Sequence, residues 1–325
     1  ASMLLLSPNE PEFMQIRKEQ NVPRLVRASR LTSNISAVHE NQVITGGLGG
    51  LGLFTARWLV SQGAEALILV SRGGKIMPSR ARELYSLLEK SGASVQKQTC
   101  DMPESISTNW MVSMLTSSNC FWSFGIWHAA GTLSDAVLGE QGDEALRCVY
   151  APKVHGLWAL EAAFFRLPVQ RCVLFSSIAG LLGGVGQANY SAANAQLDVH
   201  ATIRSYQGLL NTSMQWGAWA EVGMAARGAA SERMAAMEAA SGFGRIGLAM
   251  GLAALGVAVC QGAPPVMGVV PVAWSRFVRN GEAPALLSVV APMSTRVELA
   301  ADNASTIAAA CGVSLEAVLE MARCT

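Results

Sequence analysis

Apolar positions in this chain collect into short unbroken runs, with helical stretches between them. From Gln42 the run Val43-Ile44-Thr45 enters the turn Gly46-Gly47-Leu48-Gly49-Gly50-Leu51-Gly52. A helical stretch follows from Leu53 to Gln62, then a second run, Ala66-Leu67-Ile68-Leu69-Val70. Further runs stand at Trp122 to Trp127, Cys172 to Phe175, Met214 to Trp216 and Val266 to Val270. Apolar strands alternating with helices predict a parallel sheet covered on both faces. The fold class is α/β, a Rossmann-like doubly wound sheet flanked by helices. There is no internal repeat and no low-complexity segment.

Between Arg245 and Arg276 the chain carries no charge. Pro264 and Pro265 interrupt it, so it predicts a buried helix near Leu248 to Val259 and a buried strand near Val266 to Val270 rather than a membrane span. Of 325 residues, 51% are hydrophobic and 14% charged, enough apolar content for a sizeable core. The formal net charge of +1 comes without blocks of like charge, which argues against nucleic acid or an anionic membrane as partner. Seven scattered Cys, with no CxxC pair and no Cys/His cluster, predict no metal site and suit a reducing, cytoplasmic compartment. The chain opens on Ala1 without a charged-apolar-small leader, which reads as a piece of something longer.

A strand, a Gly-rich turn and a helix in that order can cradle a pyrophosphate. The glycines let the backbone approach it, and the helix N-terminus offers free N–H groups. Thr45, Gly46, Gly47, Leu48, Gly49, Gly50, Leu51 and Gly52 are therefore candidate cofactor residues. The second strand ends in Ser71-Arg72, where an NAD enzyme usually places Asp or Glu. A guanidinium there suits the 2′-phosphate of NADPH, although a solvated surface Arg is the plain alternative. Asp101, in Cys100-Asp101-Met102, stands where this fold would bring a side chain to the adenine, or else caps the next helix.

Reducing a ketone needs a proton donor, a second group to hold the oxygen, and a means of acidifying the donor. Phe175-Ser176-Ser177-Ile178-Ala179-Gly180 closes a strand with hydroxyls. Tyr190 follows Ser177 by thirteen residues, and Asn194 follows Tyr190 by four, on the same helix face.

The Ser177 and Tyr190 spacing resembles the short-chain dehydrogenases, whose ordinary members carry Lys four residues after the Tyr. Here that position is Asn194, and Lys153 stands in Tyr150-Ala151-Pro152-Lys153-Val154-His155-Gly156. The exchange is similar to that of ketoreductase domains of modular polyketide synthases and animal-type fatty acid synthases. His128-Ala129-Ala130-Gly131, Gly186 to Asn194 and Trp216-Gly217-Ala218-Trp219-Ala220 resemble the same family, over residues 10 to 277 or so.

The resemblance implies Tyr190 as general acid and Ser177 on the substrate oxygen. It implies Lys153 on the nicotinamide ribose, lowering the Tyr190 pKa, with Asn194 orienting the Lys and a relay water. It adds Ser71, Met102, His128, Ala129, Ala130 and Gly131 to the NADPH site. Leu133, Asp135, Leu182, Gln187, Trp216 and Met224 become substrate and stereocontrol positions. Leu133-Ser134-Asp135 stands where the B-type class reads Leu-Asp-Asp. Leu182 stands where the opposite class has Trp, so the motif leans to B-type. Glu221-Val222-Gly223-Met224 resembles the family's lid. The implied substrate is a β-ketoacyl thioester on an acyl carrier protein, with other synthase domains as partners. A fatty acid synthase ketoreductase, a non-reducing structural or epimerising relative and a free-standing dehydrogenase are the alternatives. Residues 1–40 read as a remnant of a structural subdomain, 41–280 as the catalytic domain, and 281–325 as a helical tail.

Overall fold

The computed structural model describes residues 14–16, 19–21, 41–74, 76, 79–104, 107–109, 112–113, 123–221 and 242–273. The predicted lid at Met224, the tail helices and most of the 1–40 arm lie outside these residues. The chain divides into two units. One comprises Ala1–Ser29, Ala236–Phe243 and Val272–Thr325; the other comprises Arg30–Ala235 and Gly244–Pro271. In the first, β1 (Met14–Ile16) and β2 (Glu19–Asn21) pair as an antiparallel ribbon.

The second unit is a seven-stranded parallel sheet. Its strands are β3 (Asn41–Thr45), β4 (Ala66–Ser71), β5 (Ser94–Thr99), β6 (Phe124–His128), β7 (Val169–Ser177), β8 (Asn211–Trp216) and β9 (Val266–Val269). They are ordered β5-β4-β3-β6-β7-β8-β9. The helices between them are α1 (Gly50–Ser61), α2 (Ser79–Glu89), α3 (Asp143–Tyr150), α4 (Gly156–Phe164), α5 (Ala179–Leu182), α6 (Ala188–Tyr206) and α7 (Leu248–Ala258). A π-turn, Ala151–His155, joins α3 to α4.

The apolar runs form the centre of the sheet because their side chains are covered on both faces. All five residues of β3 are buried, as are those of β6. One cluster includes Ile44, Leu69, Trp127, Val173 and Met214 under α1 and α7; the other includes Val43, Ile68, Ile126 and Leu174 under α4 and α6. The fully buried Gln42 of β3 accepts a hydrogen bond from Trp127 Nε1 at 2.7 Å. The apolar pattern missed β5. Its sequence, Ser-Val-Gln-Lys-Gln-Thr, is polar and largely exposed, as an edge strand can be. The uncharged stretch is a helix and strand as read, and no described helix is long and apolar enough to cross a membrane.

Successive strands β3, β4 and β5 run one way across the sheet, and β6 to β9 run the other. The order reverses between β3 and β6. Ligands of doubly wound sheets bind at such a point, outside the carboxyl ends of the strands. The Gly-rich turn and His128-Gly131 both leave the sheet there.

Candidate active site

The turn after β3 is built for close approach. Gly46 has φ +64°, and a Cβ there would meet the Ala129 carbonyl oxygen at 2.8 Å. A Cβ on Gly47 would lie 2.7 Å from Ile44 O and 2.9 Å from Leu69 Cα, and one on Gly52 would run into the Gly46 carbonyl. The turn is held by Gly49 N donating to Gly46 O at 2.9 Å and Gly47 N donating to Val70 O at 3.0 Å. No side chain caps α1 at Gly49, and its first turn carries no acidic residue. Its leading N–H groups are thus open to an anion, with the positive end of the helix dipole behind them. Leu48 is buried beneath the turn and Leu51 half-buried beside it. This cradle fits a dinucleotide pyrophosphate.

At the end of β4, Ser71 Oγ accepts from Gly74 N at 3.2 Å and bends the chain outward. Arg72 is consequently exposed. Cys100 N donates to Ser71 O at 3.1 Å, which sets the half-buried Asp101 beside this strand end. Met102 is buried, and its carbonyl accepts from Thr108 Oγ1 at 3.0 Å.

Thr45 and His128 end adjacent strands and are fully buried. His128 Nε2 lies 2.8 Å from Lys153 O, and Nδ1 lies 2.8 Å from Thr45 Oγ1. A carbonyl only accepts, so Nε2 carries the proton and Nδ1 accepts from the Thr45 hydroxyl. Burial, the largest cause, pushes the His128 pKa down to about 4, so the ring is neutral. Ala129 N and Ala130 N in turn donate to Thr45 O and Thr45 Oγ1 at 3.2 and 3.4 Å, and Gly131 lies against the Lys153 stem.

Lys153 enters from the π-turn, where Pro152 lacks an N–H. It is 3% exposed, and its ammonium donates to Phe175 O at 2.8 Å. Nζ stands 5.3 Å from the centroid of the Tyr190 ring. Burial lowers the Lys153 pKa to about 8, and the charge of Asp198 works against that fall.

Tyr190 and Asn194 lie one turn apart on α6, both buried. Asn194 Nδ2 donates to Tyr190 O at 2.8 Å, while Asn194 Oδ1 is buried without a partner. Ser177, at the tip of β7, donates to Trp216 O at 3.3 Å and accepts from Ala179 N at 3.2 Å. Burial raises the Tyr190 pKa, whereas hydrogen bonding to Asn194 and Ser177 pulls it down. The Lys153 ammonium, expected to act on this group, donates to Phe175 O in this structure. The four residues nonetheless converge from three elements.

The stereocontrol positions divide. Asp135 is exposed, and Gln187 Nε2 donates to its two oxygens at 3.3 and 3.2 Å. Leu133 is exposed beside it, and Leu182 is half-buried on α5. Trp216 is turned into the core against Phe175 and Trp219, with ring centroids 5.8 and 4.9 Å away. It reaches the site only through its carbonyl, because the alternation of β8 points its ring inward.

Sequence reasoning overlooked a second tier of side chains. Gln141 Nε2 donates to Ala136 O and Gly186 O at 2.8 and 2.9 Å, and its Oε1 accepts from Asn189 N at 3.1 Å. Asn189 Nδ2 donates to Ser134 O at 2.9 Å. Together they tie the loop holding Leu133 and Asp135 to the start of α6. Asp198, two turns beyond Tyr190, is also buried among polar partners. Its i+4 spacing from Asn194 is the signal that could have found it. No group of metal ligands occurs among the described residues.

Residues 41–221 match the KR (ketoreductase) domain family. The chain is 38% identical over 235 residues to the polyketide synthase GfsB of Streptomyces halstedii, covering 72% of this chain and 4% of that protein. It is 38% identical over 181 residues to a phthioceranic/hydroxyphthioceranic acid synthase of Mycobacterium tuberculosis, covering 56% of this chain and 8% of that one. Among solved structures, the first ketoreductase of the tylosin polyketide synthase matches with TM-score 0.73 at 31% identity, over 88% of this chain and 61% of that one. An A1-type ketoreductase matches with TM-score 0.77 at 28% identity, over 89% and 60%. With the short-chain dehydrogenase sheet, the Gly-rich turn at its switch point and the Lys153, Ser177, Tyr190 and Asn194 set in place, the chain belongs to the ketoreductase domains of polyketide synthases, a family of oxidoreductases.

Proposed function

We propose that this domain uses NADPH to reduce the β-keto group of an acyl thioester carried by an acyl carrier protein, giving the β-hydroxyacyl product. The observation that carries the reading is the convergence of Ser177 and Tyr190 over Lys153 and Asn194, beside a glycine cradle that fits a dinucleotide.

When bound, NADPH supplies a hydride to the ketone carbon. The Gly46 to Gly52 turn and the α1 N-terminus would hold its pyrophosphate. Arg72, exposed at the end of β4, would receive the 2′-phosphate. Ser177 and Tyr190 hydroxyls hold the ketone oxygen, and the Tyr190 hydroxyl gives its proton to the developing alkoxide. Lys153 then faces a phenolate, whose charge its ammonium stabilises. The resemblance gives Asn194 the orientation of a relay water that returns a proton toward Tyr190, and its Oδ1 is buried without a hydrogen-bond partner.

Leu133, Ser134 and Asp135, with Leu182 in place of Trp, support B-type product configuration. Asp135 is held toward the site by Gln187, one side chain from the start of the acid's helix. The A1-type relative shares the fold at 28% identity, whereas configuration is a property of these few positions.

The test is NADPH oxidation with trans-1-decalone and with a β-ketoacyl thioester, and chiral analysis of the product. Tyr190→Phe should lower kcat by about a hundredfold or more with NADPH binding retained. Full turnover by that variant would remove Tyr190 as the acid. Absence of NADPH binding in the parent would favour a non-reducing member of the family.

A further inference from the structure

Two ionic side chains are buried among the described residues: Lys153, at 3% exposure, and Asp198, at 9%. No direct ion pair joins them, and each acts on the titration of the other. One cation and one anion inside one domain is an arrangement that needs a reason, since each costs several kcal/mol to desolvate unless compensated.

The reason lies in how α6 meets the sheet. Tyr190, Asn194 and Asp198 follow at four-residue steps, so they line one face of the helix. Ser213 and Gln215 are two apart on β8 and share a face of the sheet. Ser176 pairs in register with Gln215 on the neighbouring β7. Ser213 Oγ donates to Asp198 Oδ1 at 2.6 Å, and Gln215 Nε2 donates to Oδ2 at 2.8 Å. Ser176 Oγ donates to Asn194 O at 3.2 Å. Room for the carboxylate comes from Gly180, where a Cβ would lie 3.2 Å from Asp198 Oδ2. Two donors on β8 and a glycine on α5 therefore seat a charged carboxylate where a neutral side chain would have been simpler.

We infer that Asp198 is a positioning residue for the reduction: its seated carboxylate is the buried counter-charge that keeps Lys153 protonated beneath Tyr190. This rests on the ketoreductase reading above. The groups facing Lys153 are Tyr190 and Asp198 from α6 and the neutral His128 from β6. Those facing Asp198 are Lys153, Ser176, Ser213 and Gln215. Asp135 acts on Tyr190 from its loop. Burial drives Lys153 toward its neutral form, and among these groups only Asp198 opposes it. Burial also moves Tyr190 upward, so the first loss of activity on raising the pH reports Lys153.

The experiment is the pH profile of kcat for NADPH-dependent decalone reduction. In Asp198→Asn, the basic limb should move down by about one unit. The variant should lose about fivefold in kcat at pH 8 and recover to within about twofold of the parent at pH 6.5, with KM for NADPH unchanged. Asp198→Glu, which keeps the charge, should hold the limb at the parental pH even where kcat falls. Ser213→Ala, which removes one donor and keeps the carboxylate, should leave the limb in place. A uniform loss in Asp198→Asn at every pH, or a limb that moves equally in Ser213→Ala, overturns the inference. Should Asp198→Asn fail to fold, Asp198→Ser keeps an acceptor for Ser213 and is read in the same way. An inactive Tyr190→Phe beside an unmoved limb in Asp198→Asn rejects this role alone. A fully active Tyr190→Phe rejects the ketoreductase reading instead.

Discussion

Acidification should destabilise this domain through one histidine. His128 is fully buried, and its pKa lies at about 4 against an ordinary 6.5. The folded state therefore resists protonation while the unfolded chain accepts it. Between pH 6.5 and 4 the unfolded state binds the extra proton, so stability rises with pH in that window and is lost as pH falls. Above pH 6.5 both states are neutral and the contribution is complete. At 1.36 kcal/mol per unit, the difference between 6.5 and 4 amounts to on the order of 3 kcal/mol. The geometry gives the same sign. Protonation puts a hydrogen on Nδ1, which now accepts from Thr45 Oγ1 at 2.8 Å, so the Thr45 hydroxyl must turn away.

The assay is urea unfolding at pH 7.5, 6.5, 5.5 and 4.5, for the parent and for His128→Gln. Gln keeps a donor for Lys153 O and does not titrate. Asp198 is shifted upward by burial and contributes the opposite slope, but it is common to both proteins. Their difference isolates His128. The parent should lose about 1.4 kcal/mol more per pH unit than the variant below pH 6. Parallel curves would show that the imidazole protonates without opening the fold, and would refute the reasoning.

Two other outcomes follow from the site. Arg72→Glu should raise KM for NADPH by about ten- to a hundredfold and leave NADH use unchanged or improved, because a guanidinium contact to phosphate is worth roughly 1.5–3 kcal/mol; steady-state kinetics with both cofactors measure it. Gln141→Ala removes three contacts between the Ser134 to Ala136 loop, Gly186 and Asn189. It should cost about 1–3 kcal/mol in denaturant unfolding and lower the enantiomeric excess of the product.

The apolar runs of β3 and β4 were legible because burial on both faces favours apolar residues there. Val43 to Thr45 and Ala66 to Val70 carry that pattern plainly, and the Gly46 to Gly52 turn follows from it. Ser94 to Thr99 does not: at the sheet edge its side chains meet water, so its strand state depends on pairing with β4. Trp216 was read as a substrate and stereocontrol position from the resemblance, and its ring packs in the core against Trp219. Asp198, Gln141 and Asn189 escaped notice for another reason. Each acts on groups far away in sequence, and a lone Asp or Gln in a helix or loop reads as solvated until the fold brings its partners.

That separation explains why the charged group of the site can leave the acid's helix. A Lys four residues after Tyr190 would be positioned by α6 alone. Here the position holds Asn194, and Lys153 arrives from a π-turn inside the continuous run from α3 to α4. A group delivered from another element needs its own tether. The Lys153 carbonyl supplies it, bonded to His128 and through it to Thr45 at the start of the glycine turn. The ammonium is then fixed from the other side by Phe175 O at the end of β7. Lys153 is thus tied to β3 and β6, the strands flanking the switch point, and to β7 beside them, while Tyr190 and Asn194 ride on α6 and Asp198 anchors that helix to β8. The acid and the cation are registered to the sheet independently, and their alignment depends on the sheet rather than on one turn of helix.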